Sequence, residues 1–213
     1  MYKRQGRTPL VPPSLLALAS LRRGLVLMVP FSVGFSGFMF VIALALQQGA
    51  RLGPVAAGLA LAPMAVVFLF VSLAGPRLIA RYGSRAVTAG SVVQGVGVLL
   101  IVLAAWRDWP RLDVGSLLPG AAVAGAGQAL QLPNVLRIVM SEVPPDRAGV
   151  GGGVMVTTQQ SALALGVATL GTLFLTLVPH LGMRDALVTT LLVQLAGIVV
   201  TGLLSLRLPR EVG

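Results

Sequence analysis

Along this chain the charged residues fall in short clusters, and the stretches between them are almost wholly apolar. The runs free of Asp, Glu, Lys and Arg are Gly24–Ala50, Leu52–Pro76, Ala86–Trp106, Val114–Leu136, Ala148–Met183 and Ala186–Leu206. A helix of roughly 20 apolar residues crosses the hydrocarbon core of a bilayer. Each run is long enough for one crossing. The run from Ala148 is the longest, and Pro179 and Gly182 predict where its single helix ends. None of the runs has the period-two alternation of a barrel strand. The pattern therefore predicts an all-α membrane protein of six transmembrane helices, at about 24–48, 55–75, 86–106, 116–139, 151–178 and 187–206. Ahead of them, Ser14 follows Pro12 and Pro13 and predicts a short capped helix, Leu15–Arg23, lying along a membrane surface.

Composition strengthens this picture. Hydrophobic residues make up 56% of the 213 positions and charged residues 10%, against about 25% charged in a soluble domain. Mean hydropathy is +0.91. A soluble enzyme of this size could not hide so much apolar surface. With no cysteine, one histidine and six acidic residues, the sequence predicts no metal site and no cofactor.

The net charge of +10 would suggest a nucleic-acid partner in a soluble protein. Here it sorts by side. With the N-terminus inside, the inner segments hold Lys3, Arg4, Arg7, Arg22, Arg23, Arg77, Arg81, Arg85, Arg137, Arg147, Arg207 and Arg210. The outer loops hold only Arg51, Arg107, Arg111 and Arg184. That bias predicts a multi-pass cell-membrane protein with both termini cytoplasmic. Residues 1–23 then form a cytoplasmic leader, 24–207 the membrane domain, and 208–213 a cytoplasmic tail. The expected partner is the lipid bilayer, with no nucleic acid. Trp106 and Trp109 fall at the outer interface, where aromatic belts form.

A shift of 91 residues aligns Pro54, Ala57, Gly58 and Gly75 with Pro145, Ala148, Gly149 and Gly166. The first span then overlays the fourth, and the second the fifth. A three-span unit repeated once must be inverted, because three is odd.

The loop after the second span reads Gly75-Pro-Arg-Leu-Ile-Ala-Arg-Tyr-Gly-Ser-Arg85. It resembles the cytoplasmic signature loop of the major facilitator superfamily, carried here by Gly75, Arg81, Gly83 and Arg85. The family's usual acidic residue is replaced by Ala80, which removes a loop salt bridge. Further stretches resemble the fourteen-span drug:proton antiporters of the multidrug-exporter type. They are Leu46-Gln-Gln48, Ala57-Gly-Leu-Ala-Leu-Ala-Pro63, Val143-Pro-Pro-Asp-Arg-Ala-Gly149, Thr158-Gln-Gln160 and Ala164-Leu-Gly-Val-Ala168. They occur in the order of that family's last six spans. The resemblance implies half of a major facilitator fold, two inverted three-helix repeats, exporting a small lipophilic substrate by alternating access. It also implies a missing partner, either an N-terminal half or a second copy. The alternative is a self-contained six-helix protein acting as a homodimeric carrier or scaffold.

In such a fold the first, second, fourth and fifth helices line the substrate path. The pathway candidates on them are Phe35, Gln128, Asn134, Thr157, Gln159 and Gln160. Amides on an apolar wall can hydrogen-bond a substrate, or equally bond helix to helix. Phe31, Phe35 and Phe38 share a face at helical spacing. The stripes Gly90, Gln94, Gly97 and Thr190, Gln194, Gly197, Thr201 lie on the third and sixth spans and read as packing. No carboxylate falls inside a span, so this chain predicts no proton relay of its own. Gly34-Phe-Ser-Gly37 matches the pattern of intramembrane serine proteases, but a serine nucleophile needs a base within reach. The single histidine, His180, falls in an outer loop.

Overall fold

The computed structural model describes residues 12–82 and 85–206, with the backbone alone over 75–82. Among these residues there is no strand. A one-turn helix, α1 (Pro13–Leu16), precedes α2 (Ala19–Leu44), which ends in a π-turn at Ala45–Gly49. Then come α3 (Pro54–Tyr82), α4 (Arg85–Asp108), α5 (Val114–Met140) and, after a 3₁₀ turn at Pro145–Arg147, α6 (Ala148–Gly166). A second π-turn, Val167–Gly171, joins α6 to α7 (Thr172–Ser205). Among the described residues, four stretches are long and apolar enough to cross a membrane: Ala19–Gly49, Pro54–Ala74, Arg85–Asp108 and Pro145–Ser205.

The last stretch reverses within itself. Gly182 has φ 77° and ψ 167° inside α7, a region open in practice only to glycine. Neighbours on either side give the direction. Gly166 lies against Val33 and Ser36, Gly171 against Phe40, and Met183 against Gly49, so the chain climbs along α2. Beyond Gly182, Gln194 returns to Gly34 and Gly202 to Ser91. Residues 172–181 and 183–205 are therefore antiparallel. The expected end near residue 178 moves outward. Pro179 costs one backbone hydrogen bond without stopping the helix, and the turn waits for the residue that can take a positive φ.

The leader also differs from expectation. Leu15–Arg23 is not one helix: Leu18 is extended (φ −60°, ψ 129°), and Ala19 opens the long helix, carrying Arg22 and Arg23 into its early turns. Nor does Ser14 cap α1, whose N-cap is Pro12. Instead its Oγ accepts a hydrogen bond from Arg147 Nη1 at 2.9 Å. Ser20 N–H donates to Glu142 Oε2 at 3.1 Å. A carboxylate thus satisfies one of the orphan N–H groups of α2 and sits at its positive end.

Helices α4 and α5 touch backbone to backbone. Gly90 and Gly97 on α4 interleave with Gly120 and Gly127 on α5. A Cβ at Gly90 would lie 2.8 Å from Gly127 O, and one at Gly120 would lie 2.9 Å from Ile101 N. Into this contact the chain places a buried amide pair. Gln131 Nε2 donates to Gln94 Oε1 at 2.6 Å, and Ser91 Oγ donates to Gln131 Oε1 at 3.1 Å. The third-span stripe is packing, as its small residues suggest. On α7, Gln194 Nε2 donates to Gly34 O at 3.1 Å, while Thr190 and Thr201 bond their own helix.

Two apolar clusters fill the interior. One, around Phe38, Ile42, Ile101 and Phe174, lies towards the end of the bundle where α2 meets Met183. The other, around Leu21, Met28, Val135 and Val139, lies towards the opposite end. Val55, Phe70, Leu73, Val92 and Leu203 stay exposed on the outer faces, a surface suited to lipid.

Candidate functional site

Four helices enclose a cavity of about 450 Å³. Helix α2 contributes Phe31, Ser32, Phe35 and Met39, a face set by the helical repeat. Helix α3 adds Gly58, Leu61, Ala62, Met64, Ala65 and Phe68. Gln128 and Leu132 come from α5, and Gln159 and Leu163 from α6, each pair one turn apart. The exposed Gly58 and Ala65 mark where the cavity reaches the surface. The four helices are the ones the family resemblance assigns to the substrate path.

The walls are apolar and, among the described residues, carry no charged side chain. The rings of Phe31 and Phe35 are parallel, 7° between planes, with centroids 6.5 Å apart. Polar chemistry comes from three neutral groups, Ser32, Gln128 and Gln159. Gln128 is 3% exposed and Ser32 is 1% exposed. Among the described residues the Ser32 hydroxyl has no hydrogen-bond partner, although a buried hydroxyl normally finds one.

Of the pathway candidates, the structure brings Phe35, Gln128 and Gln159 together at this cavity. Asn134 does not line it: its side chain donates to Leu130 O at 2.6 Å, one turn back on its own helix. Thr157 and Gln160 are exposed on the outer face of α6. Phe38 belongs to the apolar core rather than to the cavity wall. Sequence reasoning passed over Ser32, the residue beside Phe31, because a lone serine in an apolar run carries no spacing signal.

In the signature loop, Gly75 and Arg81 belong to the last turns of α3, where only the backbone is described, and Gly83 lies outside the described residues. Arg85 opens α4 and is exposed. Ser36, the centre of the protease-like pattern, has its hydroxyl on Leu163 O at 2.7 Å. His180 sits exposed beside the Gly182 turn, far along the bundle from Ser36.

Described charges gather at the two ends. Arg22, Arg23, Arg85, Arg137 and Arg147 lie at the end where α2 begins, with Glu142 and Asp146. Arg51, Arg107, Arg111 and Arg184 lie at the other, with Asp108, Asp113 and Asp185. Arg184 pairs with Asp185 at 2.7 Å, and this hydrogen bond holds the Asp185 carboxyl below its ordinary range. Asp113 caps α5 in a reciprocal box with Ser116, and those hydrogen bonds hold its carboxyl low as well. Among the described residues no cluster of His, Asp or Glu could hold a metal ion.

The family model of the Major Facilitator Superfamily matches residues 3–167. A probable actinorhodin transporter of Streptomyces coelicolor is 36% identical over 174 residues, 81% of this chain and 30% of that protein. A tetracenomycin C resistance and export protein of Streptomyces glaucescens is 29% identical over 168 residues, 78% of this chain and 30% of that protein. A multidrug efflux pump of Mycolicibacterium smegmatis is 30% identical over 143 residues, 67% of this chain and 28% of that protein. The chain thus spans about a third of the length of these relatives. Apolar helices around an uncharged cavity, the family match and the relatives agree: this chain belongs to the Major Facilitator Superfamily, whose members are membrane transporters and not enzymes.

Proposed function

We propose that this chain is the C-terminal half of a fourteen-span drug:proton antiporter, exporting small lipophilic molecules by alternating access. In this reading its six membrane spans form two inverted three-helix repeats, and both termini face the cytoplasm. The observation that carries the reading is the cavity. It is enclosed by α2, α3, α5 and α6, is lined by aromatic and aliphatic groups with two amides, and opens on a face that no other helix covers among the described residues. Such a cavity suits a lipophilic cargo held by a few placed polar groups.

The packing supports the repeat. Take α2, α3 and α4 as one unit, and α5, the helix of residues 148–181 and residues 183–205 as the other. Exchanging the units converts the α3 contact with α5 into the α2 contact with α6. It likewise converts α4 against α5 into residues 183–205 against α2. Contacts of α2 with α5 and of α4 with α7 map onto themselves. The outer face of α6 bears Gly149, Gly153, Thr157 and Ala164, all exposed, and Ala168 of the following π-turn is exposed as well. Small residues of this kind admit close approach of another helix, which fits the rest of the transporter packing there. Each described carboxylate stays at an end of the bundle, so the coupling proton is carried by residues outside this chain.

The deciding test is reconstitution in proteoliposomes with a pH-sensitive dye inside. The chain alone should show no drug-dependent proton flux. Drug-dependent flux without a partner would mean a self-contained carrier, and a stable dimer mass in detergent would accompany it.

A further inference from the structure

The cavity also points to the chemistry of its cargo, an inference that rests on the export reading above. Ser32 is 1% exposed, lines the cavity and has no hydrogen-bond partner for its hydroxyl among the described residues. A hydroxyl buried without a partner is costly, and the cost is relieved when a bound molecule supplies the missing group. Across the cavity, Gln128 and Gln159 each offer a carbonyl and an amide NH₂. Among the described residues, no Asp, Glu, Lys or Arg lines the space. A charged ligand group would lose its hydration there without gaining a counter-ion. The parallel Phe31 and Phe35 rings, with Phe68 on α3, favour a flat molecule that can lie along them.

We infer that the cavity binds an uncharged, planar, fused-ring aromatic compound bearing carbonyl or hydroxyl groups, with Ser32 and Gln128 as its specificity-determining hydrogen-bond partners. The apolar walls supply most of the affinity and are indifferent to which flat hydrocarbon they hold. Ser32 and Gln128 discriminate, because a ligand without polar substituents leaves their groups unpaired.

The test is equilibrium binding to the full chain in nanodiscs, with empty nanodiscs subtracted. Three probes are used: 1,4-dihydroxyanthraquinone, anthracene and the tetraphenylphosphonium cation. Saturable binding of the quinone is expected, tighter than that of either other probe. Ser32→Ala removes the hydroxyl at nearly constant volume. It should weaken quinone binding about 5–10-fold while leaving anthracene within about twofold, the size of one neutral hydrogen bond. Gln128→Met, close in shape, should act in the same sense and carries the test if Ser32→Ala does not fold. The inference is overturned if the quinone does not bind saturably, if either variant weakens quinone and anthracene equally, or if the phosphonium binds as tightly as the quinone. The two readings fail separately. Export of the phosphonium but not the quinone by the assembled transporter removes this inference and keeps the export reading. Quinone binding with drug-driven proton flux from the chain alone keeps this inference and removes the half-transporter reading.

Discussion

Replacing Gly127 by alanine tests whether the α4–α5 contact is as close as its geometry indicates. The added Cβ would meet Gln94 Cα and Gly90 O, both 2.6 Å away, and Gln94 N closer still. All three are backbone atoms, so no rotamer change can clear them. Carbon pairs rest at about 3.5–4.0 Å, so the helices must separate locally by about 1 Å. Overpacking of this kind costs ~1–3 kcal/mol. The same shift stretches the 2.6 Å bond between Gln131 and Gln94. The control is Gly197→Ala, in the middle of a helix with nothing within 4 Å of the new Cβ. Both variants gain the same helix-propensity benefit, roughly 0.5–1 kcal/mol, so it cancels in the comparison. At ~2–4 °C per kcal/mol for a chain near this length, Gly127→Ala should melt ~2–12 °C below Gly197→Ala. Helical circular dichroism followed against temperature in detergent measures this. Gly97→Ala should behave like Gly127→Ala, because its Cβ would meet Ala124 Cα at 2.6 Å. Equal melting of Gly127→Ala and Gly197→Ala would refute the close contact.

The buried amide pair should show coupling. In a cycle of Gln94→Leu, Gln131→Leu and the double variant, the interaction energy should be ~0.6–1.7 kcal/mol, and a value near zero would mean the 2.6 Å bond contributes nothing. The Asp113 carboxyl is held low by the Ser116 hydrogen bonds, so its capping is fully present above the unfolded aspartate value of ~4. That stabilisation is lost as pH falls through the lower folded value. Amide exchange at Ser116, corrected for intrinsic rate, should therefore accelerate below about pH 4 in the native chain, and Asp113→Asn should abolish that pH dependence. Orientation is accessible because the chain has no cysteine. In intact cells a membrane-impermeant maleimide should label Arg111→Cys and leave Asp146→Cys unlabelled; the reverse pattern would invert the assigned topology.

The apolar runs made the long helices legible, since nothing but a helix satisfies its own backbone over twenty apolar residues in lipid. Their ends were less legible. Ala19 begins α2 several residues before the run does, because helix formation tolerates Arg22 and Arg23 that a hydropathy count excludes. Glu142, distant in sequence, then satisfies the start of the helix. The turn at Gly182 was marked by a glycine, but Pro179 marked the same region, and only the backbone shows which residue turns. The π-turns at Ala45–Gly49 and Val167–Gly171 have no sequence period of their own.

Which polar residues meet in space depends on helix rotation, and here spacing alone reached its limit. Gln128, Gln131 and Asn134 follow one another at intervals of three, so they drift around α5 by about 60° per step. Over that drift Gln128 reaches the cavity, Gln131 turns to Gln94 on α4, and Asn134 folds back on Leu130. Three amides that look equivalent in the sequence thus have three roles. The rotation that separates them is fixed by the glycines. Gly120 and Gly127 share a face with Ala124 and must press against α4, which leaves the face carrying Gln128 and Leu132 to meet the cavity. The close-packed face of α5 therefore sets the orientation of Gln128. Widening α5's glycine face should disturb the cavity as well as stability, through the position of Gln128.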